Sequence, residues 1–250
     1  FFYMFSVIFP GQGSQLVGMG KDFFEKYDIV KNLFKEADDV LRLNLSKIIL
    51  DGPKEELDLT YNTQPAIFLI SFSIFKVITK VFNIDLHQAK YFAGHSLGEY
   101  SALSSADYLG FAETIKLLRV RGEAMQNAVP KGEGGMVAVL GSTTEVIEKI
   151  LYNNNKNFIA EIANDNSDGQ IVISGKNTDL SKLIEILKSN NIKNIKLPVS
   201  APFHCKLMNK ATEIMKKEIN NVNFKASKNV LISNVTASEV SDKNEIKKLL

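Results

Sequence analysis

The sequence predicts an α/β fold in which a larger domain is interrupted by a small inserted one. Two stretches carry that expectation. Gly94-His95-Ser96-Leu97-Gly98 sets a serine between two glycines, after the apolar run 90–93 and before the helix-forming stretch 99–106. Residues 136–198 alternate as strand, helix, strand, strand, helix, strand, which is the ferredoxin-like βαββαβ order. A chain of 250 residues suits one sizeable core carrying such an insert.

A strand that turns abruptly into a helix crowds its own backbone, so small residues are needed two positions before and two after the pivot. Gly94 and Gly98 meet that need. Ser96 then stands at a helix N-terminus, where unpaired amides and the helix dipole favour negative charge. The position suits a nucleophile whose attack generates an oxyanion to be held there. The plainer alternative is a serine that caps the helix, a role that requires no glycine on either side.

Composition narrows the classes. A net charge of +2, with lysines spread along the chain, does not form the basic stripe that nucleic acid requires. No apolar run reaches the roughly 18 to 20 residues of a membrane span. One cysteine, Cys205, excludes an internal disulfide and the usual metal clusters, and points to a reducing compartment. The chain opens at Phe1 with no initiator methionine, and Phe1-Phe2-Tyr3-Met4 lacks the charged flank and cleavage site of a secretory signal, so a fragment or processed product is expected. The frequency of Lys, Asn and Ile suggests AT-rich coding. A soluble monomer is expected, in the cytoplasm or in a plastid-type organelle such as an apicoplast after loss of a transit peptide.

Taken in order, residues 5–9 form an apolar strand and 10–15 turn away from it. A dinucleotide-binding G-x-G-x-x-G would need glycine where Leu16 stands, and no Walker lysine follows. Gln12 either points into a site or sits in a plain turn. Residues 29–41 and 45–50 read as helices, broken at Gly52-Pro53, and 66–82 as a long apolar helix that begins after Thr63-Gln64-Pro65. His87 is expected at the surface. In the helix 111–125, Phe111, Ile115, Leu118 and Met125 mark the buried stripe, and Arg121 projects from the same face. A guanidinium there needs an anion, supplied by a ligand or by an internal ion pair.

The flexible stretch 132–135 opens the insert, assigned to residues 130–199, with 1–129 and 200–250 forming the larger domain. His204 follows at the return, in Pro198-Val199-Ser200-Ala201-Pro202-Phe203-His204-Cys205, and is expected to open a helix. A proline-rich turn that fixes one imidazole suits a general base for Ser96, against the alternative of a structural histidine. Cys205 has no activating pattern and reads as a packed residue.

These residues resemble the malonyl-CoA:acyl carrier protein transacylase family. The resemblance lies in Phe9-Pro10-Gly11-Gln12-Gly13-Ser14-Gln15, Thr63-Gln64-Pro65-Ala66, the stretch from Gly94 to Ala102, Arg119-Val120-Arg121-Gly122, Asn164 with Asn166, and the His204 motif. They occur in the family's order over essentially the whole chain. It implies an α/β-hydrolase-like large domain, Ser96 as nucleophile, His204 as base, and an oxyanion hole from the amides of Gln12 and Leu97. It also implies Arg121 on the malonyl carboxylate, with Gln64 and Asn166 near the site, and Phe203 resembles the residue of malonyl-selective relatives.

The implied reaction carries malonyl from malonyl-CoA to the pantetheine thiol of acyl carrier protein through a malonyl-serine ester, with CoA as product and no metal or cofactor. Asp165 and Asp168 depart from the family pattern. Family members continue beyond Leu250, so the group that orients the histidine is expected outside this chain. Two other functions fit parts of the pattern. A serine hydrolase would take its acid from Asp107, Asp165, Asp168 or Asp179, and a carrier-docking module would use no nucleophile.

Overall fold

The computed structural model describes residues 4–130, 132–156, 158–199 and 201–250. Phe1-Phe2-Tyr3 and Ser200, quoted above for the leader and the histidine motif, lie outside them. The chain forms two compact units, one of Phe1–Glu123 with Met215–Leu250 and one of Ala124–Ile214, so the second unit takes in residues on both sides of the stretch 130–199. The architecture is mixed α/β with two four-stranded sheets.

The first unit opens with β1 (Ser6–Phe9) and then the helices α1 (Lys21–Lys26), α2 (Asp28–Leu41), α3 (Leu45–Asp51), α4 (Lys54–Leu57) and α5 (Thr60–Lys76). β2 (Tyr91–Gly94), α6 (Leu97–Ser105) and α7 (Phe111–Asn127) follow. β1 pairs with β2 in parallel, from Ser6 opposite Tyr91 to Phe9 opposite Gly94. α2 buries Val30, Leu33, Phe34 and Ala37 at helical spacing. α5 is apolar nearly all round and is buried accordingly, with Phe68, Phe72 and Phe111 meeting at ring centroids 5.3 to 5.6 Å apart.

Three expectations change here. The long helix begins at Thr60 and not after Pro65, so Thr63-Gln64-Pro65 lies inside it. Proline removes the amide that would bond the carbonyl four residues back, that of Tyr61. Arg119 Nη1 donates to that carbonyl at 3.3 Å, with its guanidinium 4.6 Å from the Tyr61 ring centroid. A side chain from another helix thus satisfies the orphaned acceptor. Second, the continuous helix Thr60–Val81 is long and apolar enough, by length and composition, to cross a membrane. It serves as the core helix of this unit, and its buried polar residues are tied down, Thr63 Oγ1 donating to the Leu57 carbonyl at 2.6 Å. Third, His87 is half-buried, its ring centroid 5.5 Å from that of Phe75, with Nδ1 3.2 Å from Asn229 Nδ2.

The second unit contains β3 (Gly134–Leu140), α8 (Thr144–Asn153), β4 (Ala160–Ser167), β5 (Gln170–Lys176), α9 (Asn177–Ser189) and β6 (Lys193–Lys196), and the chain leaves through α10 (Asn209–Asn221). Its sheet runs β4-β5-β3-β6 with every neighbour antiparallel. One face buries Val137, Val139, Ile171 and Ile173 against Leu180, Leu183 and Leu187 of α9 and Ile147 of α8. The other face buries Met136, Ala138 and Val172 with Ala201, Phe203 and Met208. Alternate strand residues therefore face opposite cores, as the two-residue pleat requires.

Back in the first unit, β7 (Leu231–Ile232) adds to β2 in parallel, Leu231 opposite Phe92, and β8 (Glu239–Val240) turns back antiparallel before α11 (Lys243–Leu249). The first sheet is thus ordered β1-β2-β7-β8. Tyr108, fully buried, anchors the return by donating its hydroxyl to the carbonyls of Asn229 and Ser241.

Candidate active site

β2 ends at Gly94 and α6 begins at Leu97, leaving two residues to reverse direction. Ser96 accordingly adopts φ 53° and ψ −111°. A side chain rarely occupies that region, and such strain persists only where the surroundings impose it. Ser96 makes no side-chain capping bond to its helix, so the cap reading does not describe it.

The glycines flanking it are required by contact. A Cβ on Gly94 would strike the backbone of Gly98, and one on Gly98 would lie 2.6 Å from the Phe9 carbonyl oxygen and 2.7 Å from that of Pro10. Both neighbours are main chain and have no rotamer to change. Gly94→Ala is therefore expected to cost more than about 3 kcal/mol of stability, read as a lower denaturation midpoint at unchanged slope.

The loop after β1 lies against this turn. His95 N donates to the Phe9 carbonyl at 3.1 Å, and a Cβ on Gly11 would fall 2.6 Å from His95 Nδ1. The loop is held by its own side chains. Ser14 Oγ donates to the Gly11 carbonyl at 2.9 Å, Gly13 N to Gln15 Oε1 at 2.8 Å, and Gln15 Nε2 to Asp58 at 2.9 Å. Gln12 turns its carboxamide to Thr60 Oγ1 at 3.5 Å. Leu97 is the first residue of α6, where an amide has no acceptor within its own helix.

Arg121 reaches the serine from α7. Gly122 allows this, since a Cβ there would lie 2.7 Å from the Thr60 carbonyl of α5. With the helices so close, Arg121 Nη1 donates to Gln64 Oε1 at 2.8 Å and Nη2 to Ser96 Oγ at 3.2 Å. Its guanidinium carbon also lies 5.6 Å from the Tyr100 ring centroid. Among the described residues no carboxylate lies within ion-pair distance of Arg121, so the internal salt bridge weighed from the sequence is not formed. The structure thus brings together Ser96, Leu97, Gln64, Arg121 and the Gln12 loop.

Two residues that sequence reasoning missed complete this cluster. Asn234, in the turn after β7, accepts from Ser96 N at 2.8 Å and donates to the Gly94 carbonyl at 2.6 Å. Glu99, buried on α6, accepts from Asn234 N at 3.2 Å. The acid standing in an otherwise small and apolar helix was a visible signal for Glu99. Nothing near Asn234 in the chain announces it.

Burial pushes the Glu99 carboxyl up to about 7, with the Asn234 amide and the Arg121 charge pulling the other way. A carboxyl raised in the folded state binds more protons there than in the unfolded chain between its ordinary value and about 7. Its contribution to stability is therefore full in acid and declines as pH rises through that window. Glu99→Gln keeps an acceptor for Asn234 and cannot ionise. Its stability relative to the parent is expected to rise from pH 4.5 to 7 by about 3 kcal/mol and then level off, measured by urea denaturation across that range.

In the second unit His204 is exposed and occupies φ 57° in the turn before a short 3₁₀ turn at Lys206–Met208, so it does not itself open a helix. Its neighbours are pinned to the sheet. Ser174 Oγ donates to the Phe203 carbonyl, and Glu161 accepts from Lys206 N at 2.7 Å and pairs with Lys206 Nζ at 2.8 Å. Cys205 is half-buried, donates to the Pro202 carbonyl at 3.1 Å, and has its thiol pushed up by burial. It is poorly suited to act as a nucleophile. Asn166 is exposed at a β4 bulge between Asp165 and Ser167, a device that re-aims a side chain.

No group of three His, Cys, Asp or Glu side chains among the described residues could hold a metal ion. Three of the four candidate hydrolase acids are engaged elsewhere. Asp107 lies 3.7 Å from His87, Asp165 accepts from Thr144 at 3.0 Å, and Asp179 accepts from Ile159 N at 3.2 Å.

Comparison with known proteins places this geometry in company. The acyl transferase domain model matches residues 6–248. The chain is 41% identical over 245 residues to the malonyl CoA-acyl carrier protein transacylase of Bacillus subtilis (strain 168), covering 97% of this chain and 76% of that one. It is 37% identical over 247 residues to that of Haemophilus influenzae, covering 98% and 78%. Among solved structures, the acyl-carrier-protein-S-malonyltransferase from Bartonella henselae matches at a TM-score of 0.94 and 41% identity, over 98% of this chain and 79% of that one. A malonyl-transacylase in complex with its type II PKS acyl-carrier protein matches at 0.93 and 34%, over 99% and 79%.

Proposed function

The chain belongs to the acyl transferase domain family, and from that premise we propose that it transfers malonyl from malonyl-CoA to the pantetheine thiol of an acyl carrier protein. The observation that carries the choice of substrate is Arg121. Its guanidinium contacts Ser96 Oγ and Gln64 and has no carboxylate within ion-pair distance among the described residues. A planar fork beside the nucleophile suits the free carboxylate of a malonyl thioester.

In this reading Ser96 Oγ attacks the thioester carbonyl while His204 takes the hydroxyl proton. The oxyanion is met by the amides of Leu97 and Gln12, which are fixed before the substrate arrives. The C–S bond breaks, the CoA sulfur receives the proton from His204, and a malonyl-serine ester remains. The carrier thiol then gives its proton to His204 and attacks the ester, and Ser96 recovers its proton as the C–O bond breaks. Asn166 and Gln64 are assigned to substrate binding. No metal or redox step enters.

The parallel β1, β2 and β7, with the serine at the C-terminal end of β2, support reading the first unit as α/β-hydrolase-like. The order β4-β5-β3-β6 with two helices supports a ferredoxin-like second unit. The test is intact mass after incubation with malonyl-CoA, followed by a chase with acyl carrier protein. One malonyl group is expected on the chain, and the chase is expected to move it to the carrier. Rapid release of malonate with no transfer would make the protein a hydrolase and end the proposal.

A further inference from the structure

We propose that Asn234 is a positioning residue for Ser96, a clamp that holds the nucleophile's backbone in its strained conformation from the turn after β7. Its carboxamide spans the turn, accepting from Ser96 N at 2.8 Å and donating to the Gly94 carbonyl at 2.6 Å. One side chain thus joins the last residue of β2 to the residue that precedes α6. Without the bridge both groups lose this hydrogen bond, and the strained turn loses the link between its two ends.

The clamp is itself held at both ends. Asn234 follows β7, and Leu231 of β7 lies opposite Phe92 of β2 in parallel register, which brings the residues after both strands to the same end of the sheet. The turn that carries Asn234 is closed by Ser233 N on the Ser238 carbonyl at 3.0 Å and Ala237 N on the Ser233 carbonyl at 2.9 Å. On the other side, Asn234 N donates to Glu99 Oε1 at 3.2 Å, one turn into the helix that Ser96 begins. Ser96 is therefore gripped before and after its pivot by one residue 138 positions away.

The catalytic consequence rests on the malonyl-serine reading above, and the experiment separates the two. In Asn234→Ala, the rate of malonyl-serine formation in single turnover is expected to fall about 100-fold per folded molecule, with KM for malonyl-CoA within about twofold of the parent. Asn234→Asp keeps the acceptor for Ser96 N and loses the donor to Gly94, and is expected to recover about tenfold of that loss. It also serves if the alanine variant does not fold. Hydrogen exchange at the Ser96 amide is expected to quicken at least about tenfold in Asn234→Ala, which reads the clamp whether or not malonyl is the substrate.

Wild-type acylation rates per folded molecule in both variants would overturn the positioning role. Unchanged Ser96 exchange would overturn the clamp itself. A parent protein that takes no malonyl, combined with faster exchange in the variant, would leave the clamp standing and remove the malonyl reading alone.

Discussion

Ser96→Ala is expected to lower malonyl transfer at least about 10,000-fold and to leave no malonyl adduct on the chain, while the fold stays within about 1 kcal/mol of the parent. The reason is chemical economy at one atom. Every other member of the proposed site orients, polarises or receives a proton, and only Ser96 Oγ forms the bond that carries the acyl group between two thiols. Its backbone geometry is imposed by Gly94, Gly98 and Asn234, none of which depends on the hydroxyl. Removing the oxygen therefore deletes the reaction without loosening the turn. Intact mass and a transfer assay with acyl carrier protein check this together. An adduct that persists in Ser96→Ala would place the chemistry on another residue.

Arg121→Ala is expected to lower kcat/KM for malonyl-CoA about 30- to 150-fold and to leave acetyl-CoA far less affected, so that the preference between the two narrows by that factor. A bidentate guanidinium–carboxylate contact in a partly dry site is worth about 2 to 3 kcal/mol, and an acetyl group has no carboxylate to forfeit. The Arg121 contact to Ser96 Oγ is shared by both substrates, so its loss cancels in the ratio. Arg121→Lys is not expected to restore the preference, because a point charge does not reproduce the planar fork that spans Gln64 and the serine. Kinetics with both acyl-CoA substrates on the parent and the two variants decide the matter. Equal losses on malonyl and acetyl would reject the carboxylate clamp.

The elements with strong local patterns were legible in the residues. The strand–serine–helix turn follows from two glycines and an apolar run. The strand–helix alternation of the second unit follows from periodicity, and its observed elements fall within a few residues of the expected ones. Pro65 and His87 depart from expectation because local propensity keeps proline outside a helix interior and a histidine in a polar connection exposed. Arg119 and Asn229 supply the partners that reverse those expectations, and both come from distant parts of the chain.

What the sequence determined by itself about this protein is where the chain must turn sharply and which side chains there have the chemistry to act, because steric crowding and side-chain type are properties of a few neighbouring residues. What only the tertiary structure decided is which groups stand together. Arg121 on Ser96 and Gln64, Asn234 bridging the turn, and the Glu99 carboxyl pushed up by burial arise from helix packing and strand register between segments far apart in the chain. Such contacts leave no trace in local patterns, since the free energy that makes them comes from the burial of other residues.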